Sequence, residues 1–576
     1  MEDSEPTSRP SGPLPGSGPA GEPLPVRRFR IVAERVLDAM LEASPETATA
    51  LGDHRFDDRL GDLSAAGVAG RAAMLHEAVG ALDDVDDTLL PAADRVDLEI
   101  LRTAVARDLW SLEELREHER NPLLHLPGEA LYPLVVRETA EPAVRLQALA
   151  SRLAEVPRVL ATARATLRDM PRVHVETAVV QTRGAAELLG GDLETLLSRA
   201  PRLRKAVTPA REAALAALAE HAAWLEAQLP VSDGDPRLGE QQFAAKLWYG
   251  LDTETGPDVL LTRAESDLQA VEEEIAEVAA RIAGGPPRAG QVREVLDGLA
   301  ASAPVTDGTI LPLCAEALER MTRRVRTLDL VTVPDDPVEI IVMPEARRGV
   351  AVAYCDAPGP LEPPGPGGTP LPSLFAVSPT PPGWPQERVA SFYREYNGHM
   401  LRNLAVHEAV PGHVLQLAHA ARYRGGTRVR RASRSAPFIE GWAVYAEALV
   451  AGAGLGLGPD ADDALRMQQL KMQLRSTINA VLDVRVHSRG MTEAEAMALM
   501  TGRGHQEEGE AAGKWRRALL TSAQLSTYYV GYHEVRDVVR RVKNARPGAS
   551  ERQVHDAVLA HGSPPPRHLR TLLAVD

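Results

Sequence analysis

Helical spacing runs through almost all of this 576-residue chain, and that feature restricts the fold more than any other. Stretches 97–118, 141–169, 209–229 and 258–283 carry apolar residues three or four apart, with few β-branched runs to oppose a helix. Near the start, Ile31, Val32, Val36, Leu37 and Met40 keep the same spacing. Aromatics make up only 4% of residues, so the core must come from Ala, Leu and Val, which these stretches supply. A solenoid is set aside, because no fixed-period repeat is present.

The texture changes between Val331 and Pro385. Val338–Val342 and Val350–Tyr354 are short, β-branched and bounded by Pro or Gly, which predicts two strands, and Leu374–Val377 is a candidate third. Residues 357–372, dense in Pro and Gly, must form a loop. After Pro385 the helical pattern resumes. The expected organisation is a disordered tail over 1–24, a helical region over 25–330, and a small sheet with a second helical region over 331–576. The last two could form one continuous domain. A length of 576 residues allows three or four core-sized units.

A net charge of −16 argues against a broad nucleic-acid-binding surface. No window reaches the ~18–20 uninterrupted apolar residues of a membrane span. The opening Met1-Glu2-Asp3-Ser4-Glu5 lacks a basic segment followed by an apolar one, so the reading is cytoplasmic rather than secreted. Cys314 and Cys355 are the only cysteines, too few for a disulfide framework or a Cys-based zinc site, and both read as inert core thiols.

The chemistry concentrates in His407-Glu408-Ala409-Val410-Pro411-Gly412-His413. Zinc hydrolases often set two His ligands four apart on one helix, with a Glu beside the first to take a proton from water. Here the two His are six apart. A regular helix would leave them ~120° apart in direction and ~9 Å apart along the axis, too far to share a metal. Pro411-Gly412 could distort the helix and return His413 to the site; a kinked helix with ordinary polar residues is the alternative. Glu440-Gly441-Trp442-Ala443-Val444-Tyr445-Ala446-Glu447 follows on an apolar helical stretch. Glu440 and Glu447, seven apart, share a face, and buried acids need a partner: a metal, or else a salt bridge or solvent.

These two segments together resemble the family called domain of unknown function 885, whose members are regarded as zinc metallopeptidases. Ala50–Leu60, Pro379-Thr380-Pro381 and Arg394-Glu395-Tyr396-Asn397 resemble further family signatures, so the likeness covers nearly the whole chain after residue 30. It implies a mainly α, two-lobed fold like the thimet-oligopeptidase and carboxypeptidase-Taq class, with the small sheet beside the metal-binding helix. It implies His407, His413 and Glu440 as ligands of one Zn²⁺ per chain, Glu408 as general base, and Glu447, Asp483 and His487 as supporting residues. Tyr528 matches a family Tyr three residues before a Gly and is the implied oxyanion donor, with Tyr529 and Tyr532 as rivals. The family pattern Asp-Thr-Gly before a His is altered here to Asp483-Val484-Arg485-Val486-His487, and a usual Arg is Asn479. That departure bears on the substrate pocket, not on the ligands.

Six arginines between Arg422 and Arg434 read either as an anion site or as a solvated basic loop. His419 reads as structural, and Lys514-Trp515-Arg516 lines a cleft or caps a helix. The expected function is a zinc-dependent hydrolase that cleaves peptide or amide bonds with metal-activated water, acting on a peptide or small amide and on neither nucleic acid nor membrane. The alternatives are a biosynthetic metalloenzyme acting on a small amide or ester, and a metal-stabilised binding protein without turnover.

Overall fold

Leu146, Leu149, Leu153, Val156 and Leu160 alternate three and four apart, and all five are fully buried along one face of the helix Pro142–Thr166. The structure, a computed structural model, describes residues 22–343, 352–365 and 368–575. The helix Pro142–Thr166 packs on Arg204–Gln228, which packs in turn on Arg172–Gly190. Burying each such Leu or Val contributes about 1.5–3 kcal/mol, so one stripe is a substantial part of the local stability.

The 31-residue helix Pro459–Arg489 spans about 46 Å and is apolar on more than one side. Leu470, Leu474 and Ile478 join a core with Leu268 and Ile275 of the helix Pro257–Ala283, while Ala480, Val481 and Val484 join one with Phe243. Packing therefore crosses residue 330. Helices Ala436–Ala453 and Ser526–Ala545 cross where each offers a glycine. A Cβ on Gly441 would fall 2.2 Å from the carbonyl carbon of Gly531, and one on Gly531 2.1 Å from the oxygen of Pro437. Only glycine permits that approach.

Three short strands, β1 (Val338–Val342), β2 (Ala353–Asp356) and β3 (Ser373–Val377), form a sheet in the order β1-β3-β2. β1 runs parallel to β3 with Val338 opposite Ser373; β2 runs antiparallel with Ala353 opposite Val377. Phe375, Ala376 and Val377 of the central strand are fully buried. The second strand lies later than the sequence pattern suggests and includes Cys355 and Asp356; Val350 and Ala351 lie outside the described residues, as do residues 1–21 of the expected tail. The fold is mainly helical with one small three-stranded sheet.

Candidate metal centre

The helix Gly398–Glu408 begins at Asn397, whose side chain accepts from the N–H groups of His399 and Met400 at 3.1 and 3.2 Å. It stops at Glu408, and a new helix, His413–Arg422, begins after a break of four residues. The expected distortion at Pro411-Gly412 is thus a complete interruption. Gly412 folds tightly back: its N–H donates to the Val406 oxygen at 2.9 Å, and a Cβ there would sit 1.9 Å from the His407 oxygen. Trp442 Nε1 holds the turn by donating to the Pro411 oxygen at 2.7 Å. The result brings the rings of His407 and His413 to 4.7 Å, nearly perpendicular at 87°.

One oxygen, Glu440 Oε2, lies 3.5 Å from Nε2 of both His407 and His413. The three ligand atoms these residues offer all lie within 4.8 Å of one another. Glu440 Oε2 is buried and makes no hydrogen bond, and the same holds for His413 Nδ1. A buried carboxylate oxygen without a hydrogen bond is costly unless a cation completes it. Two imidazoles and one carboxylate suit zinc and leave a fourth position for water. The residues fit the metal that the sequence led us to expect.

Electrostatics agree with that fit. Burial raises the carboxyl pKa of Glu440, but His413 and His407 overcome it and hold the group far below the usual range. His407 is buried, which disfavours its charge, yet Glu440 and Glu447 raise its pKa well above the ordinary value. Glu447, almost wholly buried, bonds His407 Nδ1 at 2.6 Å and accepts from Asn403 Nδ2 at 2.6 Å. In the neutral ring that metal ligation requires, Nδ1 would carry the proton toward Glu447 and Nε2 would present its lone pair toward Glu440 and His413. Asn403 was missed in the sequence, although it lies one turn before His407 on the same face.

Glu408 is buried beside the triad. Burial raises its carboxyl pKa, opposed by the charges of His407 and His413 and by the Cys355 N–H that it accepts. The outer edge of β2 therefore faces this carboxylate, so the sheet does lie beside the helix that carries His407. A buried carboxylate with a raised pKa is a stronger base than a free one.

Tyr528 sits one turn before Gly531, and Glu440 directly precedes Gly441, so the glycine crossing carries both. Its hydroxyl accepts from Arg517 at 3.1 Å, which leaves its own hydrogen available for donation. Tyr529 instead spends its hydroxyl on Asp267, and Tyr532 is buried in the core.

Asp483 and His487 make their hydrogen bonds elsewhere. Asp483 accepts from the N–H of Ala523 at 3.1 Å and from the N–H and hydroxyl of Ser526, both at 2.8 Å. It fixes the start of the helix Ser526–Ala545 that bears Tyr528. His487 Nε2 meets the oxygens of Ala518 and Thr521 at 3.0 and 2.9 Å, and its ring stacks on Phe243. His419 binds the Thr332 oxygen at 2.8 Å. Lys514 is buried, while Arg516 pairs with Glu176 at 3.1 Å.

With this geometry in place, the family comparison is decisive. The model of the family described as "Bacterial protein of unknown function (DUF885)" matches residues 45–573. The chain belongs to the DUF885 family. No curated protein matches it. A solved structure of "a putative lipoprotein of unknown function from Shewanella oneidensis" is 25% identical, with a TM-score of 0.78, covering 95% of this chain and 99% of that one. A "putative lipoprotein from Colwellia psychrerythraea" is 15% identical, with a TM-score of 0.77, covering 96% of this chain and 100% of the other, and speaks to the fold alone. No described helix of this DUF885 protein is long and apolar enough to cross a membrane.

Proposed function

We propose that this DUF885 protein is a zinc-dependent hydrolase of peptide or amide bonds, in a two-lobed, metallopeptidase-like arrangement. The observation that carries the reading is Glu440 Oε2, buried without a hydrogen bond and 3.5 Å from Nε2 of both His407 and His413, with Glu408 adjoining. His407, His413 and Glu440 would hold one zinc. Such an ion supplies Lewis acidity, polarising a carbonyl and lowering the pKa of a water from 15.7 to about 7.

The chain's own residues do the rest. Glu447 keeps the His407 imidazole in the tautomer whose Nε2 is free to ligate. The Glu408 carboxylate, held by the Cys355 N–H, takes a proton from the attacking water and delivers it to the leaving amine. The Tyr528 hydroxyl donates to the oxygen that gains charge during attack. A structural site would need no base, and the presence of Glu408 favours turnover over a metal-stabilised scaffold.

Glu408→Gln tests the reading. Gln keeps the shape but cannot accept the proton, so hydrolysis of a mixed peptide library should vanish while one zinc per chain is retained. Undiminished turnover in the pure variant would remove Glu408 from the mechanism.

A further inference from the structure

Six arginines lie between residues 422 and 434, and the fold engages five of them. Arg422 pairs with Asp336 at 2.8 Å, and Arg424 donates to the oxygens of Ala421 and Tyr423. Arg428 holds Glu34 and Asp38, each at 2.6 Å, and Arg430 holds Asp97 at 2.5 Å. Arg431 donates to the Pro360 oxygen at 2.6 Å. Arg434 has no such partner among the described residues, and its side chain is exposed.

That exposure is toward a cavity of about 1920 Å³. The volume exceeds the ~300–1,000 Å³ of an ordinary small-ligand pocket and can admit several residues of a peptide. Four other arginines line it, and each is already paired: Arg59 with Glu42, Arg71 with Asp108, Arg158 with Asp62 and Glu155, and Arg137 with Asp356. The Arg137 pair matters most, because it occupies Asp356, the carboxylate whose charge acts on Arg434. Protein around the cavity disfavours the Arg434 charge, which Arg137 opposes further and Cys355 and Asp356 only partly relieve. Exposed on the cavity wall and without a partner among the described residues, Arg434 is free to take an anion.

Cys355 links this wall to the candidate metal centre, although His407, Glu408, His413 and Glu440 do not themselves line the cavity. Cys355 lines the cavity, and its N–H is the donor to Glu408. Arg434 stands two residues before the helix Ala436–Ala453, whose second turn carries Glu440. A guanidinium fork matches the two oxygens of a carboxylate, and a single unpaired cation balances a single negative charge.

We propose that Arg434 anchors a carboxylate of the substrate, so that the site selects short peptides carrying a free carboxylate over neutral ones. This rests on the hydrolase reading, and the experiment must separate the two. Zinc-loaded protein is given N-acetylated tetrapeptide pools with a C-terminal acid or a C-terminal amide. Two further amidated pools carry one Glu or one Gln, which distinguishes an α-carboxylate from an acidic side chain. Both kcat/KM and retention of each pool in equilibrium dialysis are measured for wild type, Arg434→Gln and Arg434→Lys.

The expected result is a preference of about 10- to 100-fold for a carboxylate-bearing pool. That ratio should collapse toward one in Arg434→Gln and be partly kept in Arg434→Lys. Equal use of charged and neutral pools by the wild type, or a ratio unchanged in Arg434→Gln, would overturn the proposal and leave the hydrolase reading standing. If no pool is cleaved, the hydrolase reading fails instead. The dialysis ratios then decide on Arg434 alone, a charge preference lost in Arg434→Gln supporting it and any other pattern overturning it.

Discussion

His407 with Glu447 and His487 with Asp483 are two buried histidine–carboxylate sets on helices of one protein, and they end differently. At the first, Glu447 takes Nδ1, and Nε2 is left beside Glu440 Oε2, a buried oxygen with no hydrogen bond. At the second, the imidazole Nε2 ends on the carbonyls of Ala518 and Thr521, and the carboxylate ends on the N–H groups of Ala523 and Ser526. The composition is the same, but the remaining atoms decide the chemistry. At the first set the free atoms converge on one another, as a shared cation would need. At the second, Nε2 and the carboxylate terminate on backbone, His487 Nδ1 alone stays without a partner, and the set is a brace. The brace would still serve the proposed site, since it fixes the first turn of the helix that carries Tyr528.

Losing the Tyr528 hydroxyl should have the largest effect of the changes that probe this contrast. Tyr528→Phe is expected to lower kcat by about 10²-fold with little change in KM, while Tyr529→Phe, whose hydroxyl serves Asp267, should be close to silent. Steady-state kinetics on a cleaved peptide would show it, and normal turnover in both variants would leave the helix Ser526–Ala545 no part in the chemistry. The two histidine partners come next. Glu447→Gln should weaken zinc binding by about 10- to 100-fold in competition with a chelator. Asp483→Asn should leave zinc affinity in place and instead cost roughly 1–3 kcal/mol in urea unfolding. An exchange of these outcomes would erase the distinction between site and brace.

A third histidine sharpens the comparison with the smallest expected effect. His54 bonds Asp57 at 2.7 Å through Nδ1 and Glu362 at 2.6 Å through Nε2, so both nitrogens are spent on carboxylates. Burial opposes its charge, but those two acids win and raise its pKa from 6.5 to about 10. The folded pKa lies above the unfolded one, so the stabilisation is complete below pH 6.5 and is lost as pH rises through about 10. Melting curves between pH 7 and 10 should fall more steeply for wild type than for His54→Asn.

Much of this could be read in the sequence, for reasons that are local. The stripe Leu146–Leu160 is a three-and-four pattern that needs no tertiary information. The six-residue spacing of the two histidines makes sense only with a broken helix, and Pro411-Gly412 supplied the break. The second strand was displaced because Cys355 and Asp356, at the sheet edge, lack the β-branched pattern of a buried strand. Arg434 could not be told from its five neighbours, since Glu34, Asp38 and Asp97 lie more than three hundred residues away in the chain. Asp483 and His487 matched a family motif whose purpose depends on where Ala518 to Ser526 fold back, which no spacing within the motif reveals.

The central claim is that His407, His413 and Glu440 share one zinc, and anomalous scattering at the zinc edge from a zinc-loaded crystal tests it directly. The account predicts a single strong peak about 2.0–2.2 Å from Nε2 of His407, Nε2 of His413 and a carboxylate oxygen of Glu440. A peak bound elsewhere, or no peak between these three side chains in zinc-saturated protein, would contradict it.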